Sequence, residues 1–162
     1  MLTAHSAQLR AAQFGRHRGP PGAALFDCRS HRESPHDDGV LVSAGVTLHE
    51  ALKAYEELAE QGVTMRVVDL YSVKPLDSQT LHEAADATGF VVTIEDHYPE
   101  GGIGEAVASA LSDHPIPVFK LAVSHRPRSG DPEVLRTDEG ISAKAIVGSV
   151  SNLVRALQPS YR

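Results

Sequence analysis

The stretch Phe90-Val91-Val92-Thr93-Ile94-Glu95-Asp96-His97-Tyr98-Pro99-Glu100-Gly101-Gly102-Ile103-Gly104-Glu105-Ala106 decides the reading of this chain. An apolar run too short for a helix ends in a charged turn, and a glycine-rich bend then opens a helix. That is the pattern of a buried strand feeding a crossover. Ligands and partners of such α/β domains gather at the carboxyl ends of strands, which places residues 95–106 where function is expected.

The same alternation extends in both directions. Upstream, Val40-Leu41-Val42 is a short apolar run. A helix then opens at Val46-Thr47, where Thr47 and Glu50 fit a reciprocal capping box. Leu48, Leu52, Tyr55 and Leu58 recur at helical spacing, and Gly62 supplies the stop. Residues 63–70 predict the next strand. Pro75 breaks the chain, and Asp77 or Ser78 caps a helix carrying Leu81, Ala84 and Ala85 that ends at Gly89. Downstream, Ile103, Ala106, Val107, Ala110 and Leu111 mark one helix face, and residues 118–123 predict another strand. Asp131 caps a short turn with Pro132 at its first position, where a missing N–H costs nothing. A last helix begins at Ser142, bracketed by Ile141 and Ile146 as a hydrophobic staple. Alternating strands and helices imply right-handed crossovers and a mostly parallel sheet with helices on both faces.

Composition narrows the classes. The chain has 162 residues, is 41% hydrophobic and carries a formal charge of -6, so a core is affordable and a nucleic-acid surface, which would be basic, is not expected. No apolar run approaches the ~20 residues that span a bilayer, and no signal peptide is expected at the amino terminus. The one cysteine, Cys28, permits no internal disulfide or cysteine cage, which fits a reducing, cytoplasmic compartment. Nothing beside it would lower its pKa, so it reads as inert. Residues 1–24, rich in Arg, His, Gly and Pro, read as a poorly ordered extension, and residues 25–162 as the domain. Residues 24–28 are the candidate for a short edge strand.

The expected carboxyl edge collects residues 43–47, 69–74, 95–105 and 124–130. Glu95 and Asp96 are adjacent and point to opposite sides of a strand end, which disfavours a cooperating acid–base pair. The simpler expectation is one buried, hydrogen-bonded carboxylate and one solvated one. Histidine as a residue type can change charge near neutral pH, but His97 reads as a structural or interface residue. Gly101, Gly102 and Gly104 would present backbone N–H groups at a helix start, an anion-binding arrangement, or simply allow close packing. Their spacing is neither the dinucleotide fingerprint nor a phosphate loop. Glu105 in the first helical turn would compete with an incoming anion. Arg126 and Arg128 suit a bidentate phosphate or carboxylate clamp, or an exposed or subunit-bridging pair. Lys74 is a weaker version of the same. His49, His82 and His114 read as polar surface. No histidine pair has zinc-hydrolase spacing and no nucleophile elbow occurs, so no catalytic or metal-binding residue is assigned.

Four blocks, in order, resemble the carboxyl-terminal domain of transketolases: Val42-Ser43-Ala44-Gly45-Val46-Thr47-Leu48-His49-Glu50-Ala51-Leu52; Lys74-Pro75-Leu76-Asp77; Glu95-Asp96-His97-Tyr98 with Glu100-Gly101-Gly102-Ile103-Gly104-Glu105-Ala106; and Arg126-Pro127-Arg128-Ser129-Gly130. The resemblance covers about residues 30–157 and is nearest to the animal-like branch. It implies a three-layer α/β/α fold with a five-stranded, mostly parallel mixed sheet whose first strand is antiparallel. Complete family enzymes of the pentose phosphate pathway transfer a ketol unit between sugar phosphates with thiamine diphosphate and magnesium. The resemblance places that cofactor on two other domains, one with a Gly-Asp-Gly motif that is absent here. It therefore implies no catalytic or cofactor-binding residue in this chain. It assigns Glu95, Asp96, His97, Gly101, Gly102, Gly104, Glu105, Arg126 and Arg128 to an interface or regulatory anion site, with a homodimer or a transketolase partner subunit as the expected partner. Residues 1–24 do not match the end of the family's preceding domain, so a truncated or frame-shifted gene is the expected origin.

Overall fold

A computed structural model describes residues 29–157 apart from Pro35 and Pro127. Among these residues lie five strands and five helices. They are β1 (Arg29–Arg32), β2 (Gly39–Ser43), α1 (Val46–Glu60), β3 (Met65–Asp69), α2 (Ser78–Asp86), β4 (Val91–Ile94), α3 (Ile103–Ala110), β5 (Val118–Leu121), α4 (Pro132–Asp138) and α5 (Ala143–Leu157). The sheet order is β1-β3-β2-β4-β5, with every pair parallel except β1–β3. The expected mixed five-stranded sheet is therefore present. The strand foreseen at residues 24–28 lies outside the described residues, as does Cys28, and the antiparallel edge strand is Arg29–Arg32. Its sequence, Arg-Ser-His-Arg, has no apolar alternation, so periodicity overlooked it. An edge strand is held chiefly by main-chain pairing, here to β3, and needs little apolar character.

Central strands β2 and β4 are buried on both faces, which is why they read as unbroken apolar runs. Leu41, Val67, Val92 and Ile94 pack under α1 and α5. Val40, Val42, Val68 and Val91 pack under α2 and α3. Burial of Leu41, Leu58, Ile94 and Ile146 is complete, and each such side chain contributes about 2 kcal/mol. Asp77 caps α2 by accepting from Thr80 N–H, and Asp131 caps α4 by accepting from Glu133 and Val134 N–H. Ile141 and Ile146 are both buried in the same cluster, as the staple requires.

The capping box at Thr47 and Glu50 does not form. Gly45 is the N-cap of α1, without a side-chain bond. Glu50 instead crosses to the last helix, where its Oε2 accepts from Ala143 N–H at 2.9 Å. Lys53 Nζ lies 3.0 Å and Arg136 Nε 3.5 Å from its Oε1. Burial pushes the Glu50 pKa up, but the Ala143 N–H, Lys53 and Arg136 outweigh it and hold it below the ordinary carboxylate value. A residue placed to close its own helix thus closes α5, where a free N–H and the helix dipole both favour an anion.

Candidate functional site

Strands β2 and β4 are neighbours whose outgoing chains lead to opposite faces of the sheet, since α1 lies on one and α3 on the other. Their carboxyl ends form a topological switch point, the usual crevice for ligands in such sheets. In this protein the crevice is filled by its own side chains. The Thr47 hydroxyl lies 2.9 Å from the carbonyl oxygens of both Ala44 and Ile94, tying the start of α1 to the end of β4. Leu70 N–H donates to Ser43 O, and Val123 N–H to His97 O, so the adjacent loops are stitched together.

Glu95 is the centre of the arrangement. It is 2% exposed, and its carboxylate takes the first N–H groups of α3. Ile103 N–H donates to Oε2 at 2.6 Å and Gly104 N–H to Oε1 at 3.1 Å. Gly101, with φ of 73°, turns the chain back, and its N–H donates to Glu105 Oε2 at 2.9 Å. Gly102 has no room for a side chain, because a Cβ there would run into the Glu95 carboxylate. Of the glycine N–H groups expected to face an external anion, Gly104 donates to Glu95, just beyond β4, and Gly101 to Glu105. The buried member of the Glu95–Asp96 pair is Glu95, and Asp96 is exposed.

The remaining predicted residues are not drawn into this unit. His97 is exposed, with Nδ1 donating to Tyr98 O at 2.7 Å. Arg126 and Arg128 are exposed. No hydrogen bond or ion pair joins them to the glycine turn among the described residues. Glu139 holds their loop through Ser124 and His125 N–H. Burial raises the Glu139 pKa, and the His125 and Ser124 N–H groups bring it below the ordinary value. Apolar exposure concentrates at this edge: of the six large hydrophobic residues exposed among the described residues, Val46 opens α1 and Tyr71, Val73 and Tyr98 occupy the loops after β3 and β4. A cleft of about 270 Å³, lined by Asp38, Gln61, Val63, Ser151 and Arg155, lies at the opposite edge, away from Glu95.

One grouping escaped the sequence reading. His82 on α2 and His114 beyond α3 stack at 4.3 Å, with Asp113 beside both. The His114 hydrogen bond holds the Asp113 carboxyl below its ordinary range. The signal available was faint: His82 and Asp86 one helical turn apart, and an Asp-His pair far along the chain.

The start of α3 does not fit the diphosphate of a thiamine diphosphate group as it stands. That diphosphate needs free donors or cations, and the helix N-terminus there faces the buried Glu95 carboxylate.

Comparison with known proteins agrees with this architecture. The family model described as "Transketolase, C-terminal domain" matches residues 29–146. Transketolase-like protein 1 of Bos taurus is 52% identical over 125 residues, spanning 76% of this chain and 21% of that protein. Transketolase of Homo sapiens is 47% identical over 124 residues, 75% of this chain and 20% of that protein. The chain thus spans about a fifth of the length of these curated relatives. Among solved structures, a split-gene transketolase described as an inactive beta4 tetramer superposes with a TM-score of 0.74 at 36% identity. It covers 80% of this chain and 42% of that one. A transketolase of Campylobacter jejuni shares the fold at 17% identity and a TM-score of 0.60, over 78% of this chain and 18% of that one.

Proposed function

Because the chain belongs to the transketolase C-terminal domain family, we propose that it serves as the subunit-interaction lobe of a ketol-transferring enzyme and is not catalytic by itself. The observation that carries this reading is the filled switch point. Glu95 consumes the α3 donors that a phosphorylated ligand would need, while Val46, Tyr71, Val73 and Tyr98 leave apolar and aromatic surface at the same edge. Exposed apolar patches that include tyrosines are typical of protein contacts. Arg126 and Arg128 extend that surface with charges suited to a partner's carboxylates or to a regulatory anion. The partner is a second copy of this chain or a chain carrying the cofactor domains, and thiamine diphosphate and magnesium would be held there. Cytoplasmic location accords with this role; among the described residues no helix is long and apolar enough to cross a membrane.

A second reading is a subunit of a split enzyme, active once a partner chain is present. The split-gene structural relative favours it. The two readings share one experiment. The purified 162-residue chain is assayed for ketol transfer with thiamine diphosphate and magnesium, alone and with any co-purifying chain that carries a Gly-Asp-Gly motif. Turnover by the chain alone would refute the interaction-lobe reading. Turnover only in the mixture selects the split enzyme. Tyr71→Asp and Tyr98→Asp, both at exposed positions, are expected to abolish co-purification or self-association without unfolding the chain. Unchanged association would place the interface elsewhere.

A further inference from the structure

The amino-terminal edge of the sheet, remote from the Glu95 turn, carries a cluster that the family reading does not use. α2 and α3 run back from the carboxyl edge, so their last turns meet at the opposite one. There α2 presents His82 and Asp86, one helical turn apart, and the turn after α3 presents Asp113 and His114. That turn is fixed by His114 N–H donating to Leu111 O at 2.9 Å. Asp113 Oδ1 lies 3.1 Å from His114 Nδ1 and 3.8 Å from His82 Nε2. On the far side of the His114 ring, Nε2 is 3.4 Å from Asp86 Oδ1. One ligand atom from each of His82, Asp113 and His114 falls within 4.8 Å of the others.

We propose that His82, Asp113 and His114 form a binding site for a borderline divalent transition-metal ion such as Zn2+, with Asp86 as its orienting carboxylate. Four-coordinate zinc with bonds of about 2.1 Å keeps its ligand atoms about 3.4 Å apart, and the two Asp113 separations bracket that value. Two imidazoles and one carboxylate suit zinc, copper or nickel; magnesium and calcium prefer an all-oxygen set. Asp86 stands where a carboxylate accepts the second N–H of a metal-bound histidine, fixing the ring's tautomer and leaving Nδ1 toward the metal. Three protein ligands leave a fourth position for water or a group from outside. Loading requires rearrangement. The imidazoles are stacked with 23° between their planes, so one ring must turn before both lone pairs aim at one point. His82 Nε2, now 2.8 Å from Ala110 O, must give up that bond. The site has room for both changes, since the His82 side chain is 33% and that of Asp113 72% exposed.

The test is calorimetry of the full chain with Zn2+, and with Mg2+ as a control. One zinc per chain and no magnesium binding are expected. The His82→Ala/His114→Ala variant, with circular dichroism verifying its fold, should lose that zinc while retaining histidines 5, 17, 31, 36, 49, 97 and 125. Asp86→Asn should weaken binding about tenfold or more. In the parent chain, zinc should shift the ring-proton resonances of His82 and His114 and leave His49 unmoved, a readout independent of any variant. Absence of zinc binding would overturn the proposal, as would zinc retained by the double variant or resonance shifts confined to other histidines.

Discussion

Replacing Glu95 with alanine tests the central feature of the carboxyl edge. The change removes the acceptor for Ile103 N–H at 2.6 Å and Gly104 N–H at 3.1 Å. Both bonds are charge-assisted and made away from solvent. Each orphaned donor costs about 1–2 kcal/mol, and loss of the anion at the helix N-terminus adds about 0.5 kcal/mol. The sum is a destabilisation of about 3 kcal/mol, which for a domain of this size lowers the melting midpoint by roughly 10 °C. Urea unfolding followed by far-ultraviolet circular dichroism reads it directly. Glu95→Gln keeps the shape, but its amide offers one acceptor oxygen where the carboxylate offers two, and turns an NH2 toward an N–H group. It should recover less than half of the loss. The same variants separate a structural turn from a hidden anion site. With the carboxylate gone, the α3 donors are free, so Glu95→Ala should be stabilised by added inorganic phosphate while the parent is not. A loss below about 0.5 kcal/mol, within the range of an ordinary surface substitution, would refute the assignment of Glu95 as the organiser of this edge.

Two further outcomes follow from close contacts elsewhere. Glu50 has its pKa lowered in the folded state, so its contribution is full above its unfolded value of 4.5 and is lost as pH falls through the lower folded value. Glu50→Gln should therefore cost stability at neutral pH, about 2 kcal/mol for a buried charge-assisted bond. In urea titrations the gap between variant and parent should start to narrow below pH 4.5 and close beneath the lower folded value; a gap that does not narrow with acidification contradicts the role given to Glu50. At Gly104 an added Cβ would meet Lys120 Cδ at 2.5 Å and Thr93 Oγ1 at 2.9 Å. Gly104→Ala should destabilise by about 1–2 kcal/mol through overpacking, despite the better helix propensity of alanine. Adding Lys120→Ala should relieve only part, since Thr93 is fixed in β4. Full recovery in the double variant would show that the strand contact is harmless.

Local chemistry made most of the architecture legible. Val40–Val42 and Phe90–Ile94 announce doubly covered strands because central parallel strands have no solvent face to leave a polar alternation. Asp131-Pro132 and the Ile141–Ile146 pair announce helix starts because the groups they satisfy lie within one turn of them. What was not legible depends on partners far along the chain. Thr47 and Glu50 have capping-box spacing, yet Glu50 finds a better donor on Ala143, 93 residues away. The glycine turn at 101–104 has the composition of an anion cradle, and composition cannot tell whether the anion is foreign or is Glu95. His82 and His114 become neighbours only because α2 and α3 share one face of the sheet. Arg29–Arg32 was invisible as a strand because pairing at an edge leaves no mark in side-chain periodicity.

The fate of the switch point bears on what this lobe can do. In open α/β sheets the divergence of two loops at neighbouring strand ends leaves a crevice, and helix N-termini around it favour anions. A sheet of this type that does not bind a ligand there must still satisfy those N–H groups, because buried donors left unpaired cost more than the bonds they forgo. Glu95 does this from within, Thr47 closes the gap to Ile94, and Gly102 admits the carboxylate only because it has no side chain. The result is an edge where the first α3 donors are taken from within and where Val46, Tyr71, Val73 and Tyr98 are exposed beside Asp96, His97, Arg126 and Arg128. At that helix start a phosphate would find the Ile103 and Gly104 N–H groups taken, and the apolar residues nearby suit the protein contact proposed above. The chemistry that fills the crevice and the apolar character around it therefore argue for the same role.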